Sequence, residues 1–554
     1  MLKKGKKHLI VLLILTISAF VVLFPYIFNY KEFVFSADMQ LQYRYFYEEW
    51  NRMIDQFLTN GTFPFYSLST FLGNNFFAAK TYYLTGDVFI FLVRCFSDIN
   101  KGLLAETFVL IVLSGFLMSL FLRAFGIKEE KVVITVSLLY AFSGLASMYV
   151  GQYMFHRFYT FLPLLMLGVE LYREKGKLSL FALATCLCLM QSYYFMFPTC
   201  IFLVIYYFFT NHFHENRTKV LDILLSALPL IGSFIVGFLM SAVLLIPCIL
   251  YVLDNPRLGS GTLSLIYPLK VIIGYIWSYC CAPFNLYSII PYLFEQGEGG
   301  HLTWYSIYAG IVCVPFIFSL FFSFRKDKQH KSLFVTWLIL TVSALIPAVS
   351  SIFHGLSEPS FRWIFLVVFF QLIITAVLLE RLDSEREYLL KGLITYLALF
   401  VVSFVVGFAL KIVKPSYTAH ILFALCSIGV LILYFLLLNK NKKTFICIVS
   451  SIEVIALCFI HLFILNFPYT YSPESLNSAY MRYGEQINGD GWYRLYVNPA
   501  YLSPFSVMNL NQSLHYDYNS TVTYDSTYEY GLGEFLNYNR ITWHIIDIND
   551  PELW

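Results

Sequence analysis

A single carboxylate, Asp38, is the first candidate for chemistry in this sequence. It lies in FVFSADMQLQY, shortly after the end of the first long apolar run. A carboxylate in this place can act as a base toward a hydroxyl group, or it can hold a divalent metal. It can equally be the N-cap of a helix that begins at Met39, because Asp is favoured there. One carboxylate does not define a metal site, so the sequence leaves metal dependence open.

Lys80 and Asp87 flank the start of a short apolar piece in AAKTYYLTGDVFIFLV. A lysine at a membrane interface can pair with a lipid phosphate, and Asp87 stands where a helix is expected to begin. The structural alternatives are a snorkelling lysine and a helix cap. We take Lys80 as a candidate donor-binding residue and Asp87 as an accessory one.

Histidine and charged side chains recur at one end of several later apolar runs. They are His156 and Arg157 in GQYMFHRFYTFLPLL, His301 in GEGGHLTWYSIY, Arg362 in SEPSFRWIFLVVFF, and His354 and Glu358 just upstream of Arg362. Charge at the mouth of an apolar span is costly and usually has a partner or a function. Arginine suits phosphate because its planar fork binds two oxygens at once. We expect a site for a lipid-linked phosphate, and interfacial anchoring is the alternative.

Glu453 lies near the middle of the last apolar run, with His461 two turns further on. An unpaired carboxylate at that depth would be expensive, so a neutral form or a buried partner is expected. Glu453 could belong to a proton path, although a satisfied structural role is the interpretation that we favour.

The composition places these residues in a membrane protein. Hydrophobic residues make up 58% of the 554 residues and charged residues only 13%, against about 25% charged residues in soluble domains. The net charge of +3 is too small, and the basic residues too dispersed, to indicate nucleic-acid binding. The eleven cysteines show no metal-finger spacing and are expected to be free thiols within the apolar core.

Apolar runs long enough to cross a bilayer recur along the chain, which predicts roughly thirteen transmembrane helices. The expected spans are 8–28, 102–122, 132–150, 156–172, 178–191, 195–210, 222–252, 303–323, 332–350, 361–380, 388–410, 417–438 and 444–466. The first span is too long for a signal peptide, so we expect it to be retained. The run 178–210 is divided at Gln191-Ser192-Tyr193-Tyr194 because it would overshoot one crossing.

Most lysines and arginines then fall in short segments on the side of the N-terminus. The positive-inside rule therefore predicts a cytoplasmic N-terminus and places the candidate residues above on the outer face.

Three outer segments are long. Residues 29–101 read as an amphipathic helix over 40–57, a turn at 73–75 and a short interfacial or re-entrant piece over 82–96. Residues 251–303 form a second outer loop, and the tail from 467 alternates apolar and polar residues as strands do. We expect a transmembrane domain over 1–466 and the start of an extracytoplasmic α/β or β-rich domain over 467–554.

The chain resembles the bacterial YfhO family of membrane proteins. The resemblance rests on SADMQLQY, LGNNFFAAKTYYL, YAFSGL, MFHRFYTFLPLLMLGVELY, QSYYFMF and SFRWIFL, in that order along most of the chain. It implies the GT-C fold of glycosyltransferases that use lipid-linked donors. YfhO-like chains usually continue further into an outer domain, so the end at Trp554 suggests a truncated sequence.

The resemblance also implies an activity. Such enzymes take a sugar from a polyprenyl-phosphate carrier and place it on an acceptor outside the membrane, which for YfhO-like proteins is thought to be a teichoic or lipoteichoic acid. Asp38 becomes the catalytic acid/base candidate, and His156 and Arg362 match recurrent polar positions that could bind the carrier phosphate. Asp87 lies where relatives often have proline, which puts its role in doubt.

The leading hypothesis is therefore a bacterial membrane glycosyltransferase with Asp38 as catalytic residue and Lys80, His156, Arg157, His301 and Arg362 as donor-binding residues. Asp87, His354 and Glu358 are accessory candidates. The alternatives are a transporter or flippase of a lipid-linked sugar, with Glu453 as coupling residue, and a non-catalytic scaffold for assembly of cell-wall polymers. Neither an internal repeat nor a nucleotide-binding motif is present, so energy must come from the substrate or from a gradient.

Overall fold

The computed structural model describes residues 2–34, 39–69, 74–214, 219–253, 267, 269–280, 282–283, 306–356, 359–409 and 418–466. Within these ranges the chain is almost entirely helical, and the β-structure is limited to an isolated bridge between Ser67 and Asn74. Asp38, His301 and Glu358 lie outside the described residues. So do most of the second outer loop and the whole expected outer domain over 467–554.

Nineteen α-helices follow one another in the described part of the chain. They are α1 (Leu2–Ile27), α2 (Arg44–Asn60), α3 (Phe76–Ala79), α4 (Ile90–Arg94), α5 (Ile99–Phe125), α6 (Glu130–Ala141), α7 (Gly144–Tyr149), α8 (Tyr153–Lys175), α9 (Ser179–Gln191), α10 (Tyr193–His214), α11 (Val220–Leu253), α12 (Leu269–Cys280), α13 (Cys313–Ser323), α14 (Lys328–Leu345), α15 (Pro347–Phe353), α16 (Phe365–Glu380), α17 (Leu382–Ala409), α18 (Thr418–Leu437) and α19 (Lys442–Asn466). Two π-helical turns, Met39–Tyr43 and Thr81–Thr85, and a 3-10 turn, Arg362–Ile364, complete the set.

Eight helical segments of the described chain are long and apolar enough to cross a bilayer, and a ninth arises if α14 and the bent α15 form one span. Three shorter apolar helices, α9, α13 and the larger part of α18, add to them. This is a multi-pass membrane protein. The expected count of thirteen spans stays a prediction, because α8 and the shorter helices do not meet the same criterion of length and hydropathy.

The helices form a buried centre and a lipid-facing periphery. In α16, every residue from Phe365 to Leu379 is buried. Most residues of α6 and most residues of α8 are buried as well. The outer helices α1, α11, α17 and α19 instead expose large aliphatic and aromatic side chains such as Leu13, Val243 and Ile455. An apolar outer surface of this kind is expected where lipid is the solvent.

The division of 178–210 into two helices is confirmed. Helix α9 ends at Gln191, Ser192 adopts an extended backbone, and α10 begins at Tyr193. The amphipathic helix expected over 40–57 is also present, as the π-helical turn Met39–Tyr43 followed by α2. The long run 222–252 is one helix, α11, with Pro229 and Pro247 inside it.

The span expected over 303–323 is wrong in the part that the structure describes, because residues 306–312 are not α-helical and α13 begins only at Cys313. The cause is a cap from a distant part of the chain. Glu453 accepts hydrogen bonds from the backbone N–H groups of Ile311 (3.0 Å) and Val312 (2.7 Å) and from the Tyr434 hydroxyl (2.7 Å). Gly310 has φ of 113°, a conformation that few other residues adopt.

Two other expected spans are interrupted. The run 332–350 is broken at Ile346, where α14 and α15 meet at 106° because Pro347 cannot continue the first helix. The run 132–150 is broken at Phe142 and Ser143, and the Ser143 side chain caps the start of α7 through the Ala146 amide. These breaks place polar backbone inside the bundle, where protein groups hydrogen-bond to it.

Replacing Glu453 with alanine should lower the midpoint of thermal unfolding in detergent. The two backbone N–H groups at the start of α13 would lose their acceptor, which corresponds to a loss of about 2–4 kcal/mol in unfolding free energy. Ser451→Ala is the matched control, since Ser451 is exposed on the same helix and its hydroxyl donates to the Cys447 carbonyl of that helix. Equal unfolding midpoints for the two variants would contradict the assignment of Glu453 as a cap.

Candidate functional site

A buried charge network at one end of the bundle centres on Arg157. Its Nε donates to Glu106 Oε1 (2.6 Å), and its Nη1 donates to the Tyr83 carbonyl (3.0 Å). Its Nη2 donates to the Tyr47 hydroxyl and lies 3.1 Å from Asp87 Oδ2. The side chain of Arg157 is only 1% exposed, so protein groups surround its whole guanidinium.

The Tyr47 hydroxyl closes the network between the two acids. It lies 2.8 Å from Asp87 Oδ2 and 3.1 Å from Glu106 Oε2. Tyr47 and Asp87 belong to the first outer segment, residues 29–101. Glu106 and Arg157 lie near the N-terminal ends of the long helices α5 and α8. The network therefore ties α2 and the turn before α4 to the bundle.

Asp87 contacts Arg157 and Tyr47 through one carboxyl oxygen and the backbone through the other. Its Oδ1 accepts the backbone N–H of Phe89 at 2.8 Å, in the turn just before α4. The N-cap of α4 is Phe89 itself, so Asp87 stands two residues ahead of the cap position. Burial raises the pKa of the Asp87 carboxyl above its usual value, whereas the Arg157 charge and the hydrogen bonds from Phe89 and Tyr47 act in the opposite direction. Two carboxyl groups share one guanidinium in this cluster.

Lys80 lies close to this network and is completely buried. Its Nζ is 4.1 Å from the centroid of the Phe46 ring and 5.9 Å from that of the Tyr83 ring. The snorkelling alternative for Lys80 is therefore wrong, because its ammonium group points into the protein. A buried ammonium group against aromatic faces gains cation–π stabilisation.

His156 precedes Arg157 and is also buried, at 1% exposure. Neither of its ring nitrogens has a hydrogen-bond partner in the described part of the chain. The same holds for Nε2 of His461, whose Nδ1 lies 2.5 Å from Ser147 Oγ. Buried polar nitrogens without partners are costly and often mark a place where a ligand or water binds.

Arg362 begins the 3-10 turn before α16 and is partly exposed. Its Cζ lies 5.9 Å from the centroid of the Phe155 ring, and Phe155 is the residue before His156. Farther out, the His354 ring packs edge-on against Tyr194 at 5.3 Å, and Tyr194 packs against Tyr82. The described candidate residues of the sequence analysis therefore lie at the same end of the bundle.

The segment that follows Asp38, which itself lies outside the described residues, packs at the same end of the bundle. Met39 is buried, and the π-helical turn that it begins ends at Tyr43, whose hydroxyl donates to Gln152 Oε1. Gln152 is the residue before α8, one turn ahead of His156. The segment that follows Asp38 thus packs against the start of α8.

Comparison with known proteins assigns the family. The family model described as bacterial membrane protein YfhO matches residues 9–547. The chain belongs to the YfhO family. The resemblance drawn from the sequence motifs is therefore confirmed.

The chain is also similar to a solved structure. The crystal structure of ArnT from Cupriavidus metallidurans bound to undecaprenyl phosphate aligns over 96% of this chain and 88% of that chain, with a TM-score of 0.48 and 10% sequence identity. No curated protein matches the chain.

The sequence analysis of this YfhO-family chain missed Glu106 and Tyr47. Glu106 could have been found, because it is a carboxylate within an apolar span, where a partner is expected. Tyr47 is one of 42 tyrosines and carried no signal of its own. No group of three or more metal-ligating side chains occurs among residues that the structure describes.

Glu453 and His461 have separate environments in this YfhO-family chain. The three hydrogen bonds to Glu453 confirm the expectation of a satisfied structural glutamate. His461 lies two turns further along α19, and its ring contacts the hydroxyl of Ser147 in α7. A proton path through both residues has no support in these contacts.

Arg157→Gln should be strongly destabilising, because it leaves Glu106 and Asp87 buried without their cation. The expected loss is about 3–5 kcal/mol, measured as reduced yield and a lower unfolding midpoint in detergent. Arg94→Gln is the matched control, since Arg94 pairs with the largely exposed Asp55 at 2.6 Å and should cost less than about 1 kcal/mol. The same midpoint for both variants would show that the network does not hold this end together.

Proposed function

We propose that this YfhO-family chain is a membrane glycosyltransferase that moves a sugar from a polyprenyl-phosphate-linked donor to an extracytoplasmic glycopolymer of the teichoic or lipoteichoic acid type. The observation that carries the proposal is that Lys80 and Arg362 both lie beside the start of α8. Lys80 contacts Tyr83, whose carbonyl accepts a hydrogen bond from Arg157, and Arg362 contacts Phe155. Two cations, Lys80 and Arg362, therefore lie near the segment that follows Asp38. The His156 imidazole, which has no hydrogen-bond partner among the described residues, lies there as well. An anionic headgroup presented from the bilayer fits such a site.

The reaction in this proposal has one bond-forming and one bond-breaking event. Asp38 takes the proton of an acceptor hydroxyl, whose oxygen forms a bond to the anomeric carbon. The bond from that carbon to the donor phosphate breaks, and polyprenyl phosphate leaves with the electron pair. Inversion at the anomeric carbon follows from a single displacement, and stabilising charge on the leaving phosphate is the main task of the protein.

Lys80 and Arg362 are assigned to the leaving phosphate, and His156 to a hydrogen bond with the same group. His301 belongs to the donor-binding set, with His354 and Glu358 as accessory residues near Arg362. Arg157 and Asp87 receive a different role from the one that the sequence analysis gave them. Their mutual contacts with Glu106 and Tyr47 favour positioning of the loop over direct contact with the donor.

The orientation in this proposal places the N-terminus in the cytoplasm and the site on the outer face of a bacterial cell membrane. The lysine- and arginine-rich segments then lie inside, as the positive-inside rule requires. Glu453 is hydrogen-bonded to the start of α13, so the transporter hypothesis loses its coupling residue. The two alternative functions, a transporter and a non-catalytic scaffold, are each distinguished from the transferase by one result of the experiments below.

Asp38→Asn should reduce sugar transfer by about 10²–10⁴-fold, because the acceptor hydroxyl loses its general base. The assay is transfer of labelled sugar from a polyprenyl-phosphate donor to polymer, with the full chain reconstituted in liposomes. Asp98→Asn is the matched control: Asp98 caps α5 through the Asn100 amide (2.9 Å), and asparagine caps equally well. Unchanged transfer in Asp38→Asn would remove Asp38 from the mechanism, and translocation of the donor without transfer would favour the transporter.

Arg362→Gln should lower transfer by about 10²–10³-fold while the protein stays folded, since Arg362 is partly exposed. The measurement compares transfer rates and unfolding midpoints with those of Arg94→Gln, which changes an arginine of the same outer region away from Phe155. A rate equal to that of the control would exclude Arg362 from donor binding. If deletion of the gene abolishes polymer modification while Asp38→Asn and Arg362→Gln both preserve it, the scaffold hypothesis is favoured.

A further inference from the structure

A polar cavity lies at the end of helices α5 and α8 opposite to the candidate functional site. It has a volume of about 440 Å³ between the start of α1, the end of α5, the start of α6 and the end of α8. Its polar lining consists of Lys7, His8, Arg123, Glu130, Glu174 and Lys175. Along α8, Lys175 is about 27 Å from Arg157 at 1.5 Å per residue, so this cavity faces the other side of the membrane.

The charges that line the cavity do not cancel. Glu130 pairs with both Lys7 (2.9 Å) and Arg123 (2.8 Å), and Glu174 pairs with Lys175 (3.3 Å). Three permanent cations therefore face two carboxylates, which leaves one positive charge unmatched among the lining residues. A group with one negative charge would complete the balance.

Two buried nitrogen atoms of the lining residues also lack partners. Arg123 uses Nη1 for Ser119 and Nη2 for Glu130, while its Nε is buried without a hydrogen bond in the described part of the chain. The Nδ1 atom of His8 is in the same condition. A buried N–H group without an acceptor costs free energy, so an anion oxygen within reach of the Arg123 Nε–H would stabilise it; His8 Nδ1 donates or accepts according to the tautomer of the ring.

We infer that this cavity binds the phosphate group of an anionic phospholipid. A phosphodiester carries the single negative charge that the lining lacks, and the half-exposed ammonium groups of Lys7 and Lys175 can reach phosphate oxygens. The apolar side chains of Leu120, Leu167 and Leu171 complete the wall and can contact the glycerol and the first methylene groups. Basic pockets between membrane spans at the level of the headgroups bind such lipids.

Free phosphate is the other source of the same chemistry. Inorganic phosphate is a mixture of singly and doubly charged ions at neutral pH and has no apolar part to contact the leucine wall, so the lipid is the better match. This site is independent of the proposed transfer reaction, because it lies on the other side of the membrane and shares no residue with the candidate functional site.

Binding to the full chain, purified and delipidated in detergent, tests the inference. The probes are phosphatidylglycerol and phosphatidylcholine in mixed micelles and, separately, inorganic phosphate, with affinity measured by native mass spectrometry and by the shift in unfolding midpoint. Phosphatidylglycerol should bind more tightly than phosphatidylcholine. Arg123→Gln and Lys7→Gln should each weaken phosphatidylglycerol binding roughly fivefold.

Lys391→Gln is the matched control, since Lys391 is an exposed lysine paired with Glu387 on α17, outside the cavity. If Arg123→Gln does not fold, Lys175→Gln gives the same comparison, because the Lys175 side chain is about half exposed. Equal binding of both lipids, or the same loss in Lys391→Gln, would overturn the site. Binding of inorganic phosphate alone, sensitive to Arg123→Gln, would overturn the assignment to a lipid.

Discussion

The ion pairs of Arg157 with Glu106 and Asp87 are the interaction on which the candidate site depends. Taking these charges out of water is expensive, and only close geometry with further hydrogen bonds offsets the cost. Tyr47 and the Tyr83 carbonyl supply those hydrogen bonds. Tyr47 and Asp87 belong to the first outer segment, whereas Glu106 and Arg157 belong to the long helices α5 and α8. The ion pairs therefore fix the position of this outer segment on the bundle.

The same geometry separates two kinds of basic residue that look alike in the sequence. Arg157 is saturated by protein groups, whereas Arg362 is partly exposed beside Phe155. Both stand at the start of an apolar run, so spacing and composition gave them the same expected role. Depth and the identity of the neighbouring carboxylates distinguish them, and those depend on how distant segments pack.

Sequence reasoning predicted the parts of the fold that depend on local composition. Apolar run length located the helices, the overshoot of 178–210 predicted the break at Ser192, and amphipathic spacing predicted α2. It failed where a distant residue overrides a local pattern. Residues 306–312 are apolar enough for a helix, yet Glu453 and Gly310 fix them in another conformation. For the candidate site, the sequence predicted which end of the helices carries it. Glu106 was detectable as a carboxylate within an apolar span, whereas Tyr47 emerged only from packing.

The cap on α13 has a consequence for biogenesis. The N–H groups of Ile311 and Val312 depend on a carboxylate that lies 142 and 141 residues later in the chain. During synthesis those residues are made long before Glu453, and an unsatisfied backbone group in hydrocarbon costs several kcal/mol. The start of α13 therefore reaches its final form only after the last described helix has inserted, so insertion of the helices and completion of the bundle are separate events.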